Sequence, residues 1–518
     1  MIESDVNEIV IETNLKSFLL VLSVSLTVAT LPQIVSWVRQ IPYTLLLVIV
    51  GLGLAFVDVR LVNLSPELIL TIFLPPLLFE AAWNLKWSNL KRDLLPICLY
   101  AVVGVLIAIA GVAIGLDRAT SISLTTALLI GASLSATDPV SVTALFRELG
   151  ASERLTTLME GESLFNDGMA VVAFSFLVAL PLGKAELGLQ SALIELVSVV
   201  GIGVGVGALV GFGISYLTQR FDLPLVEQSL TLVSAYGVYL ITEDLGGSGV
   251  MGVVTTGLIL GNFGSRIGMN PRTRLVVTEF WEFVAFFVNS IVFLLIGDRM
   301  RFEVLQANVI PIAVAIIATI IARLVAVYLL SWVSNRFLTD RIELPEQIVL
   351  WWGGLRGSVS IALALSVPAA IGDRETIIGT VFGVVLFTLL IQGLTTKPLL
   401  SALNLIGDRP LRDEYSAAIA RQIALQRVLT YLKDSEHRTG IDEEFYRYQE
   451  TLLRGELEQV QEKIDKLQDE HPNLSTFMVE QLQRELLDVE AETYAELLRA
   501  GRLSKELAPF LQSTASEH

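Results

Sequence analysis

Apolar residues run along this chain in long blocks instead of the 3.6- or 2-residue spacing of half-buried elements. Blocks such as 45–56 and 199–216 are nearly free of charge. A helix that crosses a bilayer needs about 20 apolar residues, and thirteen windows approach that: 15–38, 41–57, 66–82, 94–115, 125–145, 155–182, 190–217, 226–242, 249–263, 273–296, 309–334, 345–370 and 376–403. Residues 1–14 carry four acids and no Lys or Arg, so they read as a polar lead outside the membrane and not as the basic start of a signal peptide. Beyond residue 405 the pattern becomes charged helix. Segments 446–467 and 477–498, separated by His471-Pro472-Asn473, predict a soluble helical hairpin or a surface for a regulator that the sequence does not identify.

An odd number of spans places the two ends of the chain on opposite sides. Alternate loops carry twelve Lys and Arg on one side (Arg39 to Arg341) and seven on the other (Lys16 to Arg374). The richer side reads as cytoplasmic, so the expected arrangement in the plasma membrane has the N-terminus outside and the tail inside. Windows five and twelve are interrupted, one by Ser135-Ala136-Thr137-Asp138-Pro139 and the other by Gly353-Gly354-Leu355-Arg356-Gly357-Ser358. With window seven as a linker, these are the fifth members of two six-helix halves. Broken helices at matching positions mark an inverted-repeat transporter whose substrate sits near the bilayer midplane. The expectation is an all-α membrane protein: a lead at 1–14, a transmembrane domain at 15–405 with thirteen helices in two inverted repeats, and an acidic cytoplasmic helical tail at 406–518.

Composition agrees with this pattern and removes other classes. Of the 518 residues, 53% are apolar and 17% charged, with a mean hydropathy of +0.64, against roughly 25% charged residues in a soluble domain. The net charge is −17. Half of it lies in residues 408–518, and no basic stripe suits nucleic acid. Cys98 stands alone, and His437, His471 and His518 all fall in the tail. Neither a thiolate metal cage nor a His-dependent triad can form in the spans, and no cofactor is expected.

Ionisable residues within spans are costly and therefore candidates for function. Glu80, Asp138, Glu162, Asp167, Arg323 and Arg356 are the clearest, with Glu195 and Glu282 weaker because they can lie near water. Ser163 and Asp167, four apart, share one helix face, while Glu162 and Asn166 share the next. A hard cation such as Na⁺ favours oxygen ligands. Asp167, the Ser163 hydroxyl, Glu80 and a backbone oxygen freed at Thr137 can form such a shell. Burial disfavours a charged carboxylate, so a metal ion or a proton can neutralise Asp167, but not both together. Competition at one carboxylate is enough for exchange. A guanidinium keeps its proton, so Arg323 reads as a permanent counter-ion, paired with Glu162. Arg356 and Asp138, one at each break, can offset the exposed ends of the half-helices.

With these residues in hand, the chain resembles the cation:proton antiporter-1 family of sodium/proton exchangers, of prokaryotic type. The match covers roughly residues 15–405. It rests on Phe73-Leu74-Pro75-Pro76-Leu77-Leu78-Phe79-Glu80, Ala136-Thr137-Asp138-Pro139-Val140-Ser141, the run from Gly161 to Gly168, Ile321-Ala322-Arg323, and Gly353-Gly354-Leu355-Arg356-Gly357. The resemblance implies a homodimer, a core domain moving against a dimerisation domain, and exchange of Na⁺ or Li⁺ for H⁺. It also implies an ion held by Asp167 with Ser163, Glu80 and Thr137, Asn166 beside the site, and a Glu162–Arg323 pair. In the electrogenic sister family two aspartates stand where this chain has Asn166-Asp167, which implies one-for-one, electroneutral exchange here.

Two rivals make different demands. A sodium-coupled anion symporter on a similar repeat wants uncommitted cations at the midplane, whereas each buried Arg here has an acid to meet. An intramembrane aspartyl protease would pair Asp138 with Asp167, but their Thr-Asp-Pro and Asn-Asp-Gly surroundings do not resemble such proteases. The run Gly201-Ile202-Gly203-Val204-Gly205-Val206-Gly207 lacks the strand-turn-helix setting of a nucleotide loop and reads as close helix packing.

Overall fold

The computed structural model describes residues 16, 19–31, 34, 41–56, 68–138, 140–181, 189–219, 223–269, 271–299, 301–338, 340–406, 409–434 and 443–470. Among them there is helix and no strand. The apolar blocks give α1 (Leu19–Leu31), α2 (Tyr43–Phe56), α3 (Ile69–Asn84) and α4 (Leu94–Ala119). Next come α5 (Leu124–Ser133), α6 (Val140–Leu149), α7 (Glu153–Ala179), α8 (Leu189–Thr218) and α9 (Pro224–Asp244). These are followed by α10 (Gly249–Ser265), α11 (Pro271–Asp298), α12 (Val309–Ser334), α13 (Leu344–Trp352), α14 (Ser358–Leu365) and α15 (Arg374–Ala402).

Six of the described helices are long and apolar enough to cross a membrane. Large apolar side chains such as Phe56, Leu209 and Ile310 are exposed on the outside, where water would penalise them and hydrocarbon does not. Local chemistry sets where several helices start. Ser123, Ser152 and Ser248 each accept a backbone N–H three residues ahead, opening α5, α7 and α10. Pro224 occupies the first turn of α9, where its missing N–H costs nothing.

The glycine run lies within α8 and works through close approach. A Cβ on Gly203 would stand 2.7 Å from the carbonyl of Ser248, the residue that caps α10, and one on Gly207 would collide with that of Gly252 on α10; at Gly201 and Gly205 there is open space. Glycines four apart therefore form the stripe on which α8 and α10 meet, and the intervening ones face away.

The two interrupted windows each hold a pair of half-helices. α5 stops at Ser133 and α6 starts at Val140; α13 stops at Trp352 and α14 starts at Ser358. Asp138-Pro139 disfavours continuation of the first helix, and Gly353, Gly354 and Gly357 weaken the second. The breaks touch: the backbone N–H of Asp138 donates to the Leu355 carbonyl at 2.8 Å. α7 and α12 pack around this crossing and supply its charged side chains.

The chain divides into two compact units, Met1–Arg147 with Ala151–Ile406, and Glu148–Gly150 with Gly407–His518. In the second, α16 (Arg409–Asp434) and α17 (Glu443–Glu470) form an antiparallel hairpin. Tyr415 and Ala418 bury against Ile464 and Leu467, and Glu414–Lys463 and Arg421–Glu456 ion pairs flank them at 2.7 and 2.8 Å. The sequence assigned the hairpin to 446–467 and 477–498. The second of these lies outside the described residues; among the described residues the first segment packs on the helix before it, whose few buried positions among many charges hide its apolar stripe.

Candidate functional site

The site begins with the unpaired backbone of the two breaks. A helix that ends inside an apolar medium leaves carbonyls facing no partner. At the end of α5, Arg356 Nη1 donates to the carbonyls of Ser135 and Ala136 at 2.7 and 3.0 Å. Ser360 Oγ also donates to Ala136 O, at 3.3 Å. At the end of α13, Arg323 Nε donates to Leu350 O and Trp351 O at 3.1 and 3.2 Å, and its Nη2 donates to Leu350 O at 2.8 Å. Each break is thus satisfied by a guanidinium from elsewhere: Arg356 lies in the other break and Arg323 on α12. At the start of α6, Asp138 Oδ1 accepts from Val140 N at 3.0 Å, a carboxylate at the positive end of a half-helix.

α7 brings its polar face to the same place. Arg323 Nη1 and Nη2 donate to Glu162 Oε1 and Oε2 at 2.7 and 3.1 Å, a two-pronged pair that is almost wholly buried. One turn on, Asn166 clamps Thr137: its Nδ2 donates to Thr137 Oγ1 at 2.6 Å, and its Oδ1 accepts from Thr137 N at 3.2 Å. Ser163 Oγ donates to the Thr137 carbonyl. Ser163, Asn166 and Thr137 are therefore one hydrogen-bonded group. A cavity of about 20 Å³ lies beside it, its polar wall made by Tyr100, Ser135, Glu162, Asn166, Arg323 and Arg356 and the rest by apolar residues of α4 and α12, room for a single water.

Asp167 is buried on the same helix. Its Oδ1 has no hydrogen-bond partner among the described residues, and the same holds for Asp138 Oδ2 and Arg356 Nε. Asp138 and Arg356 are charged groups close enough to bear on Asp167. An ionised buried oxygen with no donor costs several kcal/mol. A cation or a proton removes that cost. Gly357 keeps the crossing tight: a Cβ there would lie 2.5 Å from both Cβ and Oδ2 of Asp138.

The remaining sequence candidates are placed differently. Glu80 is half-buried on α3, and its Oε1 accepts from Asn84 Nδ2, one turn along, at 2.6 Å. Glu195 and Glu282 are exposed. Among the described residues no three Asp, Glu, His or Cys side chains gather into a metal cage; one carboxylate with hydroxyl, amide and carbonyl oxygens is what the crossing offers. Three buried polar groups were not singled out from sequence. Thr388 Oγ1 accepts from Arg356 N at 3.1 Å, and Tyr100 hydrogen-bonds Ser331 at 2.6 Å behind the Glu162–Arg323 pair. Asp93, fully buried, accepts from Arg92 and Arg154 while Arg154 also donates to the carbonyls of Asp340 and Arg341. The first two are neutral hydroxyls with no signal in an apolar block, and Asp93 sits where a loop was expected.

Comparison with known proteins adds independent observations. Residues 22–402 match the model of the transmembrane sodium/hydrogen exchanger family. The chain is 60% identical over 517 residues to the Na⁺/H⁺ antiporter ApNhaP of Aphanothece halophytica, covering all of this chain and 99% of that one. It is 57% identical over 521 residues to the low-affinity Na⁺/H⁺ antiporter NhaS1 of Synechocystis sp., again over 100% and 99%. Among solved structures, the sodium proton antiporter MjNhaP1 of Methanocaldococcus jannaschii aligns with a TM-score of 0.62 at 21% identity, over 76% of this chain and all of that one, a likeness of fold.

Proposed function

This chain belongs to the sodium/hydrogen exchanger family, and from that premise we propose that it exchanges Na⁺ or Li⁺ for H⁺, one for one, by competition for the carboxylate of Asp167. It is a multi-pass membrane transporter and not an enzyme. The observation that carries the reading is the buried Asp167 Oδ1 with no hydrogen-bond partner among the described residues, beside the crossing of two broken helices.

The charge count at that crossing supports the stoichiometry. Glu162, Asp167 and Asp138 are three acids, and Arg323 and Arg356 are two bases, so with Glu80 counted in its neutral, protonated form, whose oxygen still serves as a ligand, the cluster carries a net −1. A single monovalent cation neutralises it, whether Na⁺ or H⁺. Moving −1 across a bilayer is costly and moving a neutral cluster is not, so the site turns between the two faces only when loaded. One Na⁺ leaving then requires one H⁺ arriving, and the membrane potential does no work on the cycle.

In this reading Na⁺ is held by Asp167, the Ser163 hydroxyl, oxygen of Thr137 and Glu80, with Asn166 fixing Thr137. Glu162–Arg323 and the Asp138 and Arg356 contacts keep the breaks intact while the core moves. Thirteen spans in two inverted repeats form the transporter, which works as a homodimer in the plasma membrane with the N-terminus outside; residues 406–518 form an acidic cytoplasmic tail whose regulator is open. The test is Na⁺-driven proton movement in proteoliposomes, with the potential clamped and unclamped, for the parent and Asp167→Asn. Flux that needs Asp167 and ignores the clamp is the expected result. Flux that follows the potential refutes the stoichiometry, and equal flux in Asp167→Asn refutes the assignment of the carboxylate.

A further inference from the structure

A cavity of about 290 Å³ lies away from the crossing of the broken helices, and three of its lining residues are Arg299, Arg301 and Arg374. Glu375 is the one acid among its lining residues. Arg374 is fixed in place, donating Nε to Val367 O at 2.8 Å and Nη2 to Leu365 O at 3.0 Å beyond the end of α14. The remaining wall is apolar, with Val304, Ile378 and Phe382 prominent. Three guanidiniums converge on an apolar floor. An anion that brings its own apolar tail complements both.

The position sharpens this. The cavity lies where α11 ends at Asp298, α12 begins at Val309 and α15 begins at Arg374. All three are long apolar helices, so their ends mark the level at which hydrocarbon gives way to headgroups. Phe302, Val309 and Ile310, neighbours in sequence of the lining residues Arg301, Val304 and Leu305, are exposed apolar side chains, as expected where acyl chains lie against protein. A volume near 300 Å³ is at the small end of ligand sites and suits a phosphodiester headgroup. Arginine is suited to such oxygens because its fork donates two parallel hydrogen bonds.

We infer that the cavity bounded by Arg299, Arg301 and Arg374 is a binding site for the headgroup of an anionic phospholipid, whose chains run down the apolar rim. The bound lipid ties the connection between α11 and α12 to the start of α15. The site is independent of which cations are carried.

The experiment is thermal melting of the purified full-length protein at fixed ionic strength, titrated with dioleoylphosphatidylglycerol, with dioleoylphosphatidylcholine or with inorganic phosphate. Phosphatidylglycerol is expected to raise the melting midpoint where phosphatidylcholine does not. Arg301→Gln, an exposed change that leaves the fold intact, should raise the half-saturating lipid amount about tenfold through loss of a charge-assisted bond. Glu375→Gln should lower it, because the carboxylate repels the ligand. A midpoint that responds equally to both lipids, or a phosphatidylglycerol response unchanged in both Arg299→Gln and Arg301→Gln, overturns the assignment. A response to inorganic phosphate as strong as to phosphatidylglycerol overturns the lipid in favour of a small soluble anion.

Discussion

Replacing Arg323 by Met removes two kinds of contact at once, and their separation tests how the crossing is built. The guanidinium makes two hydrogen bonds to Glu162 and three to the last carbonyls of α13. Loss of the partner leaves Glu162 buried and unpaired, which costs about 3–5 kcal/mol. Each orphaned carbonyl adds about 1–3 kcal/mol. Glu162→Gln is milder: the amide keeps the shape and Arg323 keeps its carbonyls, so the loss is about 3 kcal/mol. Combining Glu162→Gln with Arg323→Met removes the unpaired charge but not the orphaned carbonyls. The double variant should therefore lose less stability than the sum of the single losses, with a coupling of about 3 kcal/mol or more. The assay is the thermal midpoint of purified protein followed by tryptophan fluorescence, with detergent and pH fixed. Strictly additive losses, or a Glu162→Gln variant less stable than Arg323→Met, would refute the reasoning.

Gly357→Ala should cut exchange at least tenfold while Na⁺ binding persists, because the new methyl group pushes Asp138 off its place at the start of α6; full turnover in liposomes would show that the crossing yields easily. If Na⁺ and H⁺ compete for one carboxylate, the apparent KM for Na⁺ should rise as pH falls, approaching about tenfold per unit once the proton holds the site, with kcat little changed. A flat KM with falling kcat points to separate sites. Asp93→Asn should lower stability by about 3 kcal/mol, since Arg92 and Arg154 both converge on a fully buried carboxylate, and should leave the ratio of Na⁺ to Li⁺ turnover unchanged. A shift in that ratio would tie Asp93 to the ion path.

What could be read in the sequence was what one helix face or one interruption carries by itself. Pro139 and the three glycines of 353–357 announce both breaks, because no apolar span tolerates them without a reason. The i,i+4 pairs of α7 announce that Ser163 with Asp167, and Glu162 with Asn166, share faces. The second role of Arg323 was hidden, since nothing local connects residue 323 to the carbonyls of residues 350 and 351. Thr388 was hidden for another reason. It opens a π-helical turn, Thr388–Gln392, and such a turn follows from the surrounding packing and not from a residue pattern. The hairpin partner of α17 escaped because α16 buries so little that its charges dominate any periodicity.

The capping of the first break by an arginine of the second constrains how this protein is made. The carbonyls of Ser135 and Ala136 are satisfied by Arg356, whose side chain follows them by 221 and 220 residues in sequence. At translation rates of about 5–20 residues per second, that interval is roughly 10 to 45 s. Through all of it the first half of the chain is inserted with the end of α5 still lacking its donor, in a medium where each open carbonyl is costly. Biogenesis therefore has to hold the early half in a hydrated, unfinished state, at the insertion machinery or around a trapped water, until the late half arrives to close it.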